Sequence, residues 1–312
     1  MKLAKYRLTI RPTSNLSLPP YKGSTFRGGF GHALRRVMCV NRGETCEKCP
    51  LVKGCVYTYI FETTPRQALD ETPEDTHLPH PFIIEPPMNE KRHYSRDDNL
   101  DLHLLLIGQA IDYAPYFIFA FEELGRIGIG KDRGKYRIES VTNIGCGKET
   151  LIYDGNSHIK DSPQVIDRTD VQNEASQLDH HRITLRFLTP TRIKYKGKLT
   201  KDLNFEVLMR NLLRRSSWLA EVHCDEKWDM DYKGLINRAK EQVTTTYSDL
   251  WWHDWERYSQ RQDKKLKMGG FIGEITFEGE LTEFLLFLKL GEYLHIGKGT
   301  VYGLGKYEIV RG

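Results

Sequence analysis

No run of about eighteen apolar residues occurs in this sequence, so no segment is suited to cross a bilayer as a helix. The opening residues, MKLAKYRLTIRPTS, carry charges where a secretory signal needs an apolar centre. Export is therefore not expected. The cytoplasm is the expected compartment, with no membrane partner. Neither sign of charge dominates: 46 Lys and Arg stand against 42 Asp and Glu, a net charge of +4. So mild a basicity identifies no partner, and any attraction to a polyanion has to come from local clusters. What is present is 39% hydrophobic and 11% aromatic residues, enough to build packed cores and to exclude a disordered chain. A length of 312 residues suits roughly two domains.

Two phosphate-binding motifs are also missing, although glycine is concentrated in HIGKGTVYGLGKYEI (295–309). A Walker A loop needs Ser or Thr after its Gly-Lys, and Gly305-Lys306 is followed by Tyr307. A dinucleotide fingerprint needs a strand before its glycines and a helix after them; here the glycines precede a strand. So much glycine implies a backbone that turns sharply or lies close to something. One reading has backbone amides and Lys298 facing an extended anion, with Tyr302 stacking; the other is a tight structural turn.

Hydrophobic periodicity predicts strands over 3–10, 56–62 (VYTYIFE), 100–108 and 134–141, with helices over about 24–38 and 110–125. Ser24 or Thr25 is the expected cap of the first helix. Its Phe26, Phe30, Leu34 and Val37 form an apolar stripe opposite His32, Arg35 and Arg36. Pro115 is placed awkwardly for the second helix. The order strand, helix, strand, strand, helix, strand is the ferredoxin-like βαββαβ pattern. It restarts with a strand over 181–188, helices over 204–223, 234–243 and 281–290, a hairpin pair over 251–259 and 270–278, and a last strand over 305–310. The expectation is an α+β protein of two tandem ferredoxin-like domains, 1–145 and 180–312. Residues 146–179 are expected to form a hairpin around Asp154-Gly155 and a linker. Both halves end alike: aligning GKYRIE (134–139) with GKYEIV (305–310) sets Gly128 against Gly299 and Gly134 against Gly305, an internal repeat.

Basic residues gather at Arg35-Arg36, Arg214-Arg215 and RYSQRQDKKLK (257–267). Each is a solvated face or a contact to an anionic partner such as RNA; the repeated glycine loops favour RNA. Cys39, Cys46, Cys49 and Cys55 form C-x6-C-x2-C-x5-C, holding four of the six cysteines. Without a secretory signal, disulfides are not expected, and a metal site is the natural reading. Structural zinc on four thiolates is the first candidate; an iron–sulfur cluster and reduced, unligated thiols are the others. Four thiolates leave no open coordination position, so no catalytic metal is expected there.

The sequence resembles the CRISPR repeat-processing endoribonucleases of the repeat-associated mysterious protein (RAMP) superfamily. The resemblance rests on YKGSTFRGGFGHALRR (21–36), GRIGIGKDRGKYRI (125–138), TLRFLTPTRI (184–193), LLRRSSWL (212–219), GGFIGEITFEG (269–279) and GEYLHIGKGTVYGLGKYEI (291–309). It implies tandem ferredoxin-like domains of the RNA-recognition type; in this sequence the cysteine cluster forms a cysteine-rich insertion in the first. It implies CRISPR repeat RNA, a precursor of guide RNA, as substrate, with other CRISPR effector or adaptation proteins as candidate partners. It implies one metal-independent cut per repeat, by attack of a ribose 2′-OH, leaving a 2′,3′-cyclic phosphate. Members commonly use a histidine in or near the first helix, which here is His32, with Tyr21 and Lys22 just before the helix as assistants. His295, opening the glycine loop, is a second candidate. RNA contacts are expected from Arg27, Arg35, Arg36, Arg214, Arg257, Arg261, Lys298, Thr300 and Tyr302. A non-catalytic RNA-binding subunit of the same superfamily, and a zinc-dependent nucleic-acid adaptor, remain as alternatives.

Overall fold

The computed structural model describes residues 1–63, 78–145, 147–156, 159, 163–259 and 264–310, with backbone alone for 257–259 and 264–266. The chain divides into two compact units: Met1–Ile166 with Trp218–Glu226, and Asp167–Ser217 with Lys227–Gly312. Among the described residues no helix is long and apolar enough to cross a membrane.

In the first unit, β1 (Leu3–Pro12) buries Tyr6, Leu8 and Ile10 on one face, the period-2 pattern of a strand packed on one side. Helix α1 (Gly23–Met38) follows, then β2 (Phe82–Glu85), β3 (Leu100–Ile107), α2 (Ala114–Ile127), β4 (Tyr136–Gly145) and β5 (Lys148–Tyr153). The strands form one antiparallel sheet in the order β2-β3-β1-β4-β5. Phe30 of α1 is fully buried and stacks on Phe117 and Phe121 of α2, each at 5.1 Å between ring centroids. That packing fixes which face of α1 turns inward.

Several local expectations change. VYTYIFE is not a strand: Thr58–Glu62 forms a π-helical turn, and the Thr58 hydroxyl bonds the carbonyls of Val52 and Cys55. The strand partner of β3 is instead Phe82–Glu85. Lys22, not Ser24 or Thr25, occupies the N-cap position of α1, and no side chain caps it. Val37 is 42% exposed, so the buried stripe is Phe26, Phe30, Ala33 and Leu34. Pro115 lies in the first turn of α2, where a missing N–H costs nothing. β5 pairs with β4, and the second arm of the hairpin expected at Asp154-Gly155 falls mostly outside the described residues.

The second unit opens with α3 (Arg168–Ala175), inside the stretch expected to be a linker. Asp167 accepts from the amides of Thr169 and Asp170, and Asp170 bonds back to the Asp167 amide, a complete capping box. Then come β6 (Arg182–Thr191), α4 (Phe205–Cys224), α5 (Tyr232–Glu241), β7 (Val243–His253), β8 (Glu256–Ser259), β9 (Lys264–Lys267), β10 (Gly270–Gly279), α6 (Leu285–Leu294) and β11 (Tyr307–Val310). Four of these strands form an antiparallel sheet in the order β7-β10-β6-β11. The expected hairpin is thus β7 with β10, and β8 pairs separately with β9. Phe205 packs against Phe277 and Phe284, both at 5.1 Å, at the centre of the core.

The repeated GKY sequences have a structural counterpart. The buried Tyr136 donates its hydroxyl to the Phe121 carbonyl of α2, and the buried Tyr307 donates to the Leu288 carbonyl of α6. A glycine of the same helix leaves room for each ring: Gly125 for Tyr136 and Gly291 for Tyr307. Burial holds both phenols well above the usual tyrosine pKa, so both remain donors.

Candidate active site and anion-binding cluster

Because Phe26, Phe30 and Leu34 anchor α1 to the core, residues between them on the helical period face outward. His32, Arg35 and Arg36 lie there, exposed, and with Arg42 they line an open surface cavity of about 400 Å³. Arg36 forms an ion pair with Glu123 of α2 at 2.8 Å. Arg35 donates to the Glu44 carbonyl at 3.2 Å, and Arg42 donates to the Arg36 carbonyl at 3.1 Å. An imidazole among three guanidiniums can move a proton beside an anion while the cations hold that anion in place. Arg42 was not singled out by sequence, because one arginine in a polar segment carries no pattern.

The other first-unit candidates sit elsewhere. Lys22 is fully buried, donating to the carbonyls of Pro20 at 3.0 Å and Asn89 at 2.6 Å, with Tyr94 below it. Burial pushes its pKa down, with Glu90 acting in the opposite direction. Tyr21 is pushed well above the usual tyrosine range by burial and then by Glu85. Neither lines the cavity of His32. Arg27 stacks its guanidinium on Phe61 at 3.9 Å.

In the second unit the glycine-rich loop joins α6 to β11, and its glycines lie against the chain itself. A Cβ on Gly297 would meet the Arg192 carbonyl, and one on Gly305 would strike the Ile296 carbonyl; both residues have positive φ, +82° and +72°. The loop amides are largely occupied too: Ile296 bonds Gly305, Lys298 bonds Arg192, and Gly305 bonds Pro190. This corrects the expectation that backbone amides face an anion. His295 is corrected likewise. It is fully buried at a left-handed φ of 55°, with Nδ1 3.1 Å from the Leu304 carbonyl, so it shapes the loop from inside and has no access to a substrate. Thr300 is buried and Tyr302 half-buried.

What the loop presents is charge. Lys298 is exposed, and its pKa is lowered by desolvation and then by Lys194, Arg192 and Arg214. Burial lowers the pKa of Arg192 as well, and pushes that of Arg215 down to about 10. Arg215 donates from Nε to the carbonyls of Leu294 and His295 at the end of α6, the favourable place for a cation. Arg192 Nε and one terminal nitrogen of Arg215 are enclosed without a hydrogen-bond partner among the described residues. Arg192 and Lys194 were not predicted, and Arg215 was read only as part of the Arg214-Arg215 pair; only the fold brings the end of β6 beside the loop. Arg261 lies outside the described residues, and for Arg257 the backbone alone is described.

The four clustered cysteines are all free and half-buried. Among the described residues no three His, Cys, Asp or Glu side chains stand close enough together to hold a metal ion.

A family model described as CRISPR-associated endoribonuclease Cas6 matches residues 185–307, and one described as an N-terminal domain matches residues 1–164. An uncharacterized protein of Archaeoglobus fulgidus is 24% identical over 294 residues, 94% of this chain and 92% of that one. Among solved structures, a Cas6 product complex matches with a TM-score of 0.58 and 18% identity, covering 99% of both chains. Thermus thermophilus Cas6 matches with a TM-score of 0.54 and 15% identity, covering 99% of this chain and 98% of that one. A partial Cas6-RT-Cas1–Cas2 complex matches with a TM-score of 0.60 and 15% identity, covering 100% of this chain and 46% of that one. The mixed α/β fold is thus Cas6-like over the whole chain. The Cas6 endoribonuclease model lies on residues 185–307, in the unit that carries the glycine-rich loop, and it is this segment of the chain that matches the CRISPR-associated endoribonuclease family.

Proposed function

We propose that this protein cuts precursor CRISPR RNA within its repeats, without a catalytic metal, by attack of a ribose 2′-OH on the adjacent phosphorus. The products are a 2′,3′-cyclic phosphate and a 5′-OH. His32 carries the proton, either taking it from the 2′-OH or delivering it to the leaving 5′-oxygen. Arg35 and Arg42 hold the non-bridging oxygens, where negative charge accumulates as the phosphorane forms. Arg36, tied to Glu123, anchors the rim of the cavity. The observation that carries this reading is the meeting of His32 with three arginines in one open cavity.

The two strand orders support a reading of the fold as tandem ferredoxin-like domains. In each unit the second, third, first and fourth strands of a βαββαβ unit lie side by side, all antiparallel. RNA is held at the second unit by Lys298, Lys194, Arg192 and Arg214. Proteins of the CRISPR adaptation machinery are further candidate partners, since one solved relative is a Cas6-RT-Cas1–Cas2 complex.

The test is a labelled CRISPR repeat incubated with the purified protein, with magnesium omitted and EDTA present for the minutes of the assay. One cut with a cyclic phosphate end is expected. Tight binding with no cut would assign the chain instead to the non-catalytic RNA-binding subunits. In the same assay Lys298→Ala should weaken repeat binding and lower the slope of log affinity against log salt by about 1, leaving the cut position unchanged. An unaltered salt slope would remove Lys298 from the RNA interface.

A further inference from the structure

We propose that Cys39, Cys46, Cys49 and Cys55 bind one zinc ion, and that this metal holds Arg42 at the rim of the His32 cavity. The metal half stands by itself. The Arg42 half rests on the reading of that cavity as the RNA-cleaving site.

The segment from Cys39 to Cys55 has no core. None of its residues is buried, and Val40 and Leu51, at 84% and 53% exposure, point their apolar surface at solvent. A stretch of that kind cannot offset the entropy of one fixed conformation by burying apolar area. Its four cysteines, by contrast, are all half-buried. The cysteines turn inward, as do Asn41 and Val52, while Val40 and Leu51 turn outward.

Local geometry suits ligation. Cys46 opens one 3-10 turn and Cys49 closes it, its amide bonding the Cys46 carbonyl at 3.2 Å. Cys55 closes the next 3-10 turn, its amide bonding the Val52 carbonyl. Asn41 links the other sulfurs: its carbonyl accepts from Cys39 Sγ at 3.3 Å, and its Nδ2 lies 3.9 Å from Cys49 Sγ. Arg42, Lys48 and Lys53 stand against Glu44 and Glu47 within the segment, a net positive balance that suits an anionic four-thiolate centre. Four sulfurs with no open position select a tetrahedral, redox-silent ion, which is zinc. The thiols are not yet gathered at ligating distance, so the two turns close together as the metal binds, and the binding free energy becomes folding free energy for this segment.

Arg42 lies between the first and second ligands. Its guanidinium donates to the Arg36 carbonyl and lines the cavity with His32. The Glu44 carbonyl, two residues on, accepts from Arg35. The loop bearing Arg42 therefore meets the last turn of α1 through two exposed hydrogen bonds, which are weak restraints in water. Zinc at either end of that loop supplies the rigidity these bonds lack, without touching substrate.

Metal analysis of the full chain tests the first half. Wild type and Cys146→Ser should each hold one zinc per chain, and Cys49→Ser none. Replacement by Co²⁺ should give the thiolate-to-cobalt charge-transfer band only where Cys49 is present. Iron in place of zinc, or metal-free protein whose four thiols react freely with a thiol reagent, overturns the site. For the second half, Arg42→Ala should keep its zinc yet cut repeat RNA about tenfold or more slowly, as for loss of a charged hydrogen bond. Cys49→Ser, with circular dichroism reporting an intact fold, should slow cutting to a similar extent. The double variant should be no slower than either single one. A zinc-free variant that cuts at the wild-type rate sinks the positioning role. If wild type binds repeat RNA but never cuts it, the cleavage reading fails while metal content still decides the zinc site, and Arg42 is judged by repeat affinity. A four-thiolate zinc is released slowly, so a mercurial reagent, not brief EDTA, is the means of stripping it.

Discussion

Replacing His32 with alanine should slow single-turnover cleavage of a CRISPR repeat by about 10²–10⁴-fold while repeat affinity stays close to that of the wild type. The imidazole is exposed on the outer face of α1, so the substitution opens no cavity in the core. Alanine also suits a helix interior better than histidine, and α1 should be no less stable. What is lost is the one imidazole lining the cavity; the three guanidiniums remain. A collapse of rate with binding intact therefore assigns proton transfer to His32. Equal loss of rate and affinity would instead assign it to RNA binding. Cleavage at the wild-type rate would leave this cavity without a catalytic role. Arg36→Ala is a useful companion, since its pairing with Glu123 ties it to α2 and predicts a smaller loss than His32→Ala.

Gly305→Ala should be the most damaging single-methyl change in the glycine-rich loop. At a φ of +72° an L side chain is strained, at about 1–3 kcal/mol, and the new Cβ would also strike the Ile296 carbonyl. That carbonyl belongs to a residue whose amide bonds Gly305, so it cannot retreat without breaking the bond that closes the loop. Gly147 is the control: it has the same φ of +72° but open space where a Cβ would go. Urea unfolding should show Gly305→Ala losing clearly more stability than Gly147→Ala, together with weakened repeat binding as Lys298 moves away from Lys194 and Arg192. Equal losses for the two variants would mean that backbone strain, not the close approach, is what glycine relieves at position 305.

The mixture of helices and strands, the basic outer face of α1 and the repeated loop were readable in the sequence, because each rests on a periodic or duplicated pattern. It misled where a local pattern had two solutions. VYTYIFE alternates β-branched and aromatic residues as a strand does, but Thr58, Tyr59 and Ile60 are all buried in succession, which a helical turn inside a core permits. The true strand, FIIE, is a four-residue run buried on both faces and set between prolines, too short to show a period. The helix inside the expected linker announced itself only through Asp167 and Asp170, an Asp-Asp capping box in place of the usual Glu or Gln. At the site, His32 and its neighbouring arginines were visible because they share one helix. Arg192 and Lys194 were not, since the loop they meet is distant along the chain; Arg42 was not, since no periodic pattern links it to the helix it meets. The glycines were read as facing a ligand because sequence cannot tell a loop folded against its own chain from one folded against an anion.

The paired tyrosines separate what is conserved between the two halves of this chain from what has been free to change. Each half kept the ring of the last strand, the helix carbonyl it bonds and the glycine that admits it, as two copies of one joint. Between joint and helix the loops have diverged: Gly299-Thr-Val-Tyr-Gly-Leu-Gly305 in one half faces Gly128-Ile-Gly-Lys-Asp-Arg-Gly134 in the other. The joint thus acts as a socket and the loop as an exchangeable insert. Residues between the helix end and the buried tyrosine are where the surface of this protein can be rewritten while the frame that carries them stays fixed.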